Sequence, residues 1–376
     1  MSSTFALVAS DFVPTGGMDV ANLALASYLV RNGHRVELVA HRIAPSLRGL
    51  SGLKFHRVLR PLGSNFLASP LLDRAGRRVA HQVLAQGGRV LVNGGNCLIA
   101  DVNWVHYVHA AYAAEVGRDL RSAKRVIERR LALRQERKAL RAARLVLANS
   151  ERTKRDLVTL LGVPAERIEV VYLGIDSDAF RPPSDEERLR YRSELGLDGR
   201  PALGFVGGLG DSRKGFETLF EAWVRLAQKG WDAVLLVVGV GSELSRWQQR
   251  AAAAGCRQSI RFLGFRRDVA RILPALDGFV APARYEAFGQ AVHEALCCGV
   301  PALVSSDAGV TEKIPDELRS LLLADPESAS ELCRRLEAWR DDLGNYRQAA
   351  RSASASLRQR SWDVMAAEIC RAMERR

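Results

Sequence analysis

The sequence lacks the features that mark membrane, secreted and metal-binding chains. No apolar run is long enough to span a bilayer, and the opening MSSTFALVASDFVP has neither a basic start nor a signal-length apolar core. Six cysteines (Cys97, Cys256, Cys297, Cys298, Cys333 and Cys370) fall at no metal or disulfide spacing, which reads as reduced thiols in a cytoplasmic protein. No paired-aspartate triplet closes a strand-like run, so no divalent-ion site is signalled. The pattern G-x-x-x-x-G-K-[ST] is absent, which excludes a P-loop. None of the three glycine turns, SDFVPTGGMDV, FVGGLGDSRKGF and VVGVGSEL, completes G-x-G-x-x-G. The run RVELVA leads into His41-Arg42 with no acid for a ribose, so hydride chemistry fits poorly.

What is present is a globular composition, 47% apolar and 26% charged over 376 residues, enough for two ordinary domains. The net charge of +13 is uneven: residues 1–180 hold 26 Lys/Arg against 15 Asp/Glu, whereas the remainder is nearly balanced. Most of the excess lies in RDLRSAKRVIERRLALRQERKALRAAR, residues 118–144. There Leu120, Ala123, Ile127, Leu131 and Leu140 recur at roughly helical spacing. This predicts a long amphipathic basic helix, either a solvated face or a surface for an anionic membrane or acceptor. The stretch is nearly devoid of aromatics to stack bases and carries no reader motif, which argues against nucleic acid.

Short apolar runs alternate with helical ones, a parallel α/β pattern. Strands are expected at 4–10, 35–40, 89–94, 102–109, 144–150 and 168–174, with a helix at 19–33 after Gly16-Gly17. DAFRPPSDEE, 178–187, is the expected linker, and the pattern restarts with strands at 201–208, 233–239, 260–264, 278–282 and 301–306. The expected domains are 1–177 and 178–360, with a closing helical segment, 361–376, as a candidate to return to the first.

FVAPARYEAFGQAVHEALCCGVPALVS, residues 279–305, is the stretch richest in chemistry. It reads as strand, loop, helix, Gly-Val-Pro and strand. Glu286 falls in the loop, and the amides of Ala287, Phe288, Gly289 and Gln290 fall at the helix N-terminus, where an anion is favoured. Glu294 lies two turns on, placed to accept hydrogen bonds from a vicinal diol. Arg213-Lys214, after a glycine loop, supply two fixed cations able to neutralise a diphosphate without a metal.

At these residues the sequence resembles the retaining GT-B-fold glycosyltransferases with the E-x7-E motif, glycosyltransferase family 4. The resemblance runs through TGGMDVANLALASYLVRNGHRVELV, ANSERTKRDLV, GVPAERIEVVYLGIDSDAFRP, FVGGLGDSRKGFETLFEAW, LLVVGVGSE, IRFLGF and SSDAGVTE. It implies two Rossmann-like doubly wound domains facing across a cleft and a metal-independent transfer from a UDP- or GDP-sugar to a hydroxyl acceptor. That acceptor would be a glycan, a lipid-linked molecule or a small molecule, in bacterial cell-surface glycan, lipopolysaccharide or glycolipid synthesis. Glu294 would hold the ribose, Glu286 the donor sugar near the reacting carbon, and the Phe288–Gln290 amides sugar hydroxyls and phosphate. Arg213 and Lys214 would meet the leaving diphosphate, and Gly16 and Gly17 would let the N-terminal loop approach phosphate and acceptor. The family's Gly-Arg-Leu is here Gly207-Gly208-Leu209, so Arg213 is the candidate substitute for the missing arginine. A family histidine at a strand end is matched by His109, with His106 behind it; His293 reads as packing. No cofactor is expected, and peripheral contact with the inner membrane face is open. The rival readings are a sugar-nucleotide epimerase or phosphorylase of the same fold, or a catalytically silent basic binding protein.

Overall fold

The structure, a computed structural model, describes residues 3–112 and 120–375, with side chains in the second stretch from residue 127 onward. It divides into two compact units, Met1–Gly174 with Ser361–Arg376, and Ile175–Arg360.

The first unit carries strands β1 (Thr4–Val8), β2 (Asp11–Phe12), β3 (Arg35–Ala40), β4 (Arg42–Ile43), β5 (Leu53–Arg57), β6 (Arg89–Asn93), β7 (Val102–Val105), β8 (Leu145–Ala148) and β9 (Ile168–Val170). Seven of these form a parallel sheet in the order β5-β3-β1-β6-β7-β8-β9, while β2 and β4 make a separate ribbon that pairs Asp11 with Arg42. Its helices are α1 (Gly17–Arg31), α2 (Asn65–Ala85), α3 (Leu120–Ala142) and α4 (Glu151–Leu161). The central strands are buried end to end, as a parallel sheet covered on both faces requires. Sequence punctuation sets the helix ends: Ser150 Oγ accepts the Thr153 amide at the start of α4, and left-handed Gly162 closes it.

The second unit repeats the plan with β10 (Ala202–Val206), β11 (Val234–Val238), β12 (Ile260–Gly264), β13 (Gly278–Ala281), β14 (Ala302–Ser305) and β15 (Leu322–Leu323), all parallel, in the order β12-β11-β10-β13-β14-β15. Helices α5 (Asp185–Glu194), α6 (Phe216–Gln228), α7 (Leu244–Ala253), α8 (Val269–Ile272), α9 (Gln290–Cys297), α10 (Ala329–Asp341) and α11 (Leu343–Arg358) surround it. Phe205, Phe216, Trp223, Phe279 and Trp339 anchor its core. The final helix, α12 (Trp362–Glu374), belongs with the first unit, where Arg89 and Arg144 donate to the Met373 carbonyl. No described helix is long and apolar enough to cross a membrane.

Three expectations need correction. The segment expected as a linker, 178–187, is structured within the second unit: Ser184 and Glu187 close a reciprocal capping box that starts α5. The strand expected over 102–109 stops at Val105, where its pairing with β8 ends, and His109 opens a short 3-10 turn, His109–Ala111. The basic helix forms, but its expected apolar stripe is split: Ile127 and Leu131 are exposed, while Leu140 is buried together with Glu136 and Ala139. Residues 118 and 119 lie outside the described residues, as do the side chains of Leu120, Ala123 and Arg125.

Candidate functional site

In an open parallel sheet, ligands bind beyond the strand C-termini, where adjacent strands send their loops to opposite faces. In the second sheet that point lies between β10 and β13, because β10 pairs with both β11 and β13. The loops leaving those two strands carry Arg213-Lys214 and Glu286. Lys214 Nζ donates to Glu286 Oε2 at 2.5 Å, and both side chains are largely shielded. This joins two segments 72 residues apart in sequence.

Close backbone packing makes the meeting possible. Gly215, at φ 69° between the turn Ser212–Lys214 and α6, leaves no room for a Cβ, which would sit 1.8 Å from the Pro282 carbonyl oxygen. The Arg284 amide donates to the Arg213 carbonyl at 2.8 Å, a second tie between the two loops. The expected pair of cations is divided: Lys214 goes to Glu286, while the Arg213 guanidinium is held at 2.8 Å by Asp211 of its own turn. The glycines of VVGVGSEL pack on the β10 loop, with Leu209 donating to the Val240 carbonyl and Glu243 donating back to Leu209.

Helix α9 begins at Gln290, not earlier. Gly289, at φ 110°, is its N-cap, so Ala287 and Phe288 lie in the preceding loop, buried. That loop is pinned by the turn Gly309–Lys313, whose Gly309 and Val310 amides donate to the Glu286 and Phe288 carbonyls. The first-turn amides of α9 carry the positive end of the helix dipole, with no side chain capping them. Glu294 sits one face-repeat along, hydrogen-bonded to the Gln290 side chain, and burial pushes its carboxyl up to about 8. His293 is buried with its ring edge-on to Phe288, and loss of solvent holds it down at about 4. It packs.

In the first unit, Gly16 at φ 84° caps α1 and Gly17 begins it, with open space where a Gly16 Cβ would lie. Four further residues cluster nearby that the sequence reading did not single out as a site. Asp11 accepts from Arg42 Nε and Nη2 at 3.0 and 2.9 Å and from Arg60 Nη2 at 2.9 Å. Burial pushes the Asp11 carboxyl up, but these bonds overcome it and hold it below its usual value. Asp19, in the first turn of α1, has a buried Oδ1 without a hydrogen-bond partner. Burial, aided by Asp11, pushes it up to about 7.

His109 and His106 have different environments. His109 is 44% exposed; its backbone N–H and its Nδ1 both reach Oε1 of Glu136, at 3.1 and 3.0 Å. Glu136, on α3, is fully buried. A carboxylate accepts, so Nδ1 carries the proton and Nε2 is left to meet a ligand. His106 lies against Trp104 and is held neutral by burial, its pKa lowered to about 3. Glu136 was hidden inside the basic run, as one of three acids among many cations. Among the described residues, no group of three or more His, Cys, Asp or Glu is arranged to hold a metal.

Known proteins share this architecture. The likeness is one of family: a model of "Glycosyltransferase Family 4" matches residues 15–179, and one of "Glycosyl transferases group 1" matches residues 200–342. The fold is that of the GT-B glycosyltransferases. The chain belongs to the family 4, group 1 glycosyltransferases. It is 33% identical over 210 residues to the 2-deoxystreptamine glucosyltransferase of Streptomyces kanamyceticus, covering 55% of this chain and 54% of that one. The chain thus spans about half the length of that relative. Among solved structures, sucrose-phosphate synthase from Thermosynechococcus elongatus superposes with a TM-score of 0.80 at 18% identity, covering 99% of this chain and 98% of that one. HepE from Anabaena, in complex with UDP and glucose, gives 0.76 at 19% identity, with both chains fully covered.

Proposed function

We propose that the protein is a retaining, metal-independent glycosyltransferase that moves a sugar from a nucleotide-diphospho-sugar to a hydroxyl acceptor in cell-surface glycan, lipopolysaccharide or glycolipid synthesis. The carrying observation is the Lys214–Glu286 pair at the β10/β13 switch point, with the α9 N-terminus and the half-buried Glu294 in the same unit. The UDP-bound state of HepE supports a nucleotide donor here.

In this reading Glu294 accepts hydrogen bonds from the ribose diol, and Gln290 orients it. Lys214, Arg213 and the α9 amides stabilise charge on the departing diphosphate; fixed donors aimed at developing charge are the strongest contribution such a site supplies. Glu286 positions Lys214 and the donor sugar. The acceptor oxygen bonds to the anomeric carbon on the face the diphosphate leaves, the carbon–oxygen bond to phosphate breaks, and a phosphate oxygen takes the acceptor's proton. In the first unit, His109 set by Glu136 serves the sugar, and the Gly16-Gly17 turn serves phosphate and acceptor. Peripheral contact with an anionic membrane surface belongs to the same proposal, through Ile127, Leu131 and the arginines of α3.

The test is release of nucleoside diphosphate from a panel of UDP- and GDP-sugars, with and without candidate acceptors, in excess EDTA. Acceptor-dependent release supports the reading; release that needs added magnesium or manganese refutes its leaving-group chemistry.

A further inference from the structure

The first unit contains a cavity of about 470 Å³ that the donor chemistry does not use. His41, Arg42, Arg57 and Arg60 line it, with Leu59 and Pro61. We propose that this cavity binds a phosphate group carried by the acceptor. The proposal rests on the glycosyltransferase reading and narrows its acceptor to a phosphorylated class.

The charges do not cancel internally. Asp11 and Asp19 act on Arg42 and Arg60, so even with both carboxyls ionised the lining keeps the positive charge of Arg57 in excess. Asp11 occupies one edge of Arg42 and one nitrogen of Arg60, fixing where their remaining N–H groups point. Arg60 Nε is buried and has no hydrogen-bond partner. Arg57 is exposed and makes no ion pair among the described residues. His41, buried, is anchored by its Nδ1 to the Val58 carbonyl at 3.0 Å. Several rigid guanidinium forks converging on one space match the tetrahedral oxygens of a phosphate, which accepts from several donors at once.

The rim is apolar. From Pro61 the chain enters Leu62, which is 95% exposed and held at φ 50°, a costly conformation for a leucine. Phe66, Leu67 and Leu71 on the first turns of α2 are also exposed. A phosphate here therefore has two sources, a soluble sugar phosphate or the headgroup of a lipid whose chains meet the leucines.

The experiment compares the intact protein with Arg57→Ser and Arg60→Lys by thermal shift and calorimetry, using glucose 6-phosphate against glucose. Co-sedimentation with phosphatidylcholine vesicles, with or without phosphatidic acid, forms the second arm, and the panel of nucleotide-sugars the third. Binding of the sugar phosphate but not glucose, weakened about tenfold to hundredfold by Arg57→Ser, supports a soluble source. Vesicle binding that needs phosphatidic acid and Arg57, without a sugar-phosphate response, supports the lipid source. Silence in both phosphate arms, or responses that neither substitution alters, overturns the proposal. A nucleotide-sugar response alongside that silence leaves the donor reading intact; the converse removes the donor reading and the acceptor role while the phosphate site stands.

Discussion

Glu294→Gln probes the donor reading through a proton. Loss of solvent holds this carboxyl at about 8 against its ordinary value of 4.5. A raised carboxyl pKa contributes stability that is complete below pH 4.5 and lost as pH rises through 8. The wild type should therefore lose stability between those values relative to Glu294→Gln, whose amide does not titrate. Donor binding reverses the preference, because ribose hydroxyls donate to the ionised form. At pH 7 the carboxyl of the free protein is mostly protonated, so binding a nucleotide-sugar should release about one proton. Calorimetry in buffers of different ionisation enthalpy reads that release directly. The substitution should abolish it and weaken donor affinity by about tenfold or more, the scale of one charge-assisted hydrogen bond of about 1.5–3 kcal/mol. Buffer-independent heats at pH 7, or unchanged affinity in the variant, would refute the ribose assignment.

Three other outcomes follow from the geometry. Gly215→Ala forces a Cβ toward the Pro282 carbonyl at positive φ and should cost at least about 1–3 kcal/mol, read as a lower melting temperature and weaker donor binding. Glu136→Gln keeps an acceptor for the His109 amide but removes the charge that fixes the imidazole; kcat should fall and its pH profile shift while donor KM stays near wild type. Vesicle pelleting through α3 should require anionic lipid, reverse in high salt, and weaken when Arg129 and Arg130 become Ser; indifference to lipid charge contradicts the membrane role.

The fold class was legible because both sheets are built from short apolar runs separated by glycine turns, and buried parallel strands leave that mark. Edge elements were not: β5, LKFHR, is only partly buried and alternates weakly, and β15 is two residues long. Helix α2 was missed as well, with Pro70 inside it and an exposed first half. At the candidate site, the positions of Glu286 and Glu294 followed from local spacing around one glycine. The partners did not, because they are tertiary: Lys214 reaches Glu286 across 72 residues, His109 reaches Glu136 across 27, and Arg60 reaches Asp11 across 49. Spacing within a segment carries no information about such pairs, and the basic run around Glu136 masked an acid that is buried.

The measurement that tests the central claim most directly is the structure of the transfer product. A nucleotide-sugar that stabilises the protein should be incubated with phosphorylated and neutral acceptors, and the new glycosidic linkage read by NMR. The account predicts a product with the donor's anomeric configuration, formed in EDTA and strongly reduced in Glu286→Gln and Lys214→Ala. A product of inverted configuration, or one formed equally well by both variants, contradicts it.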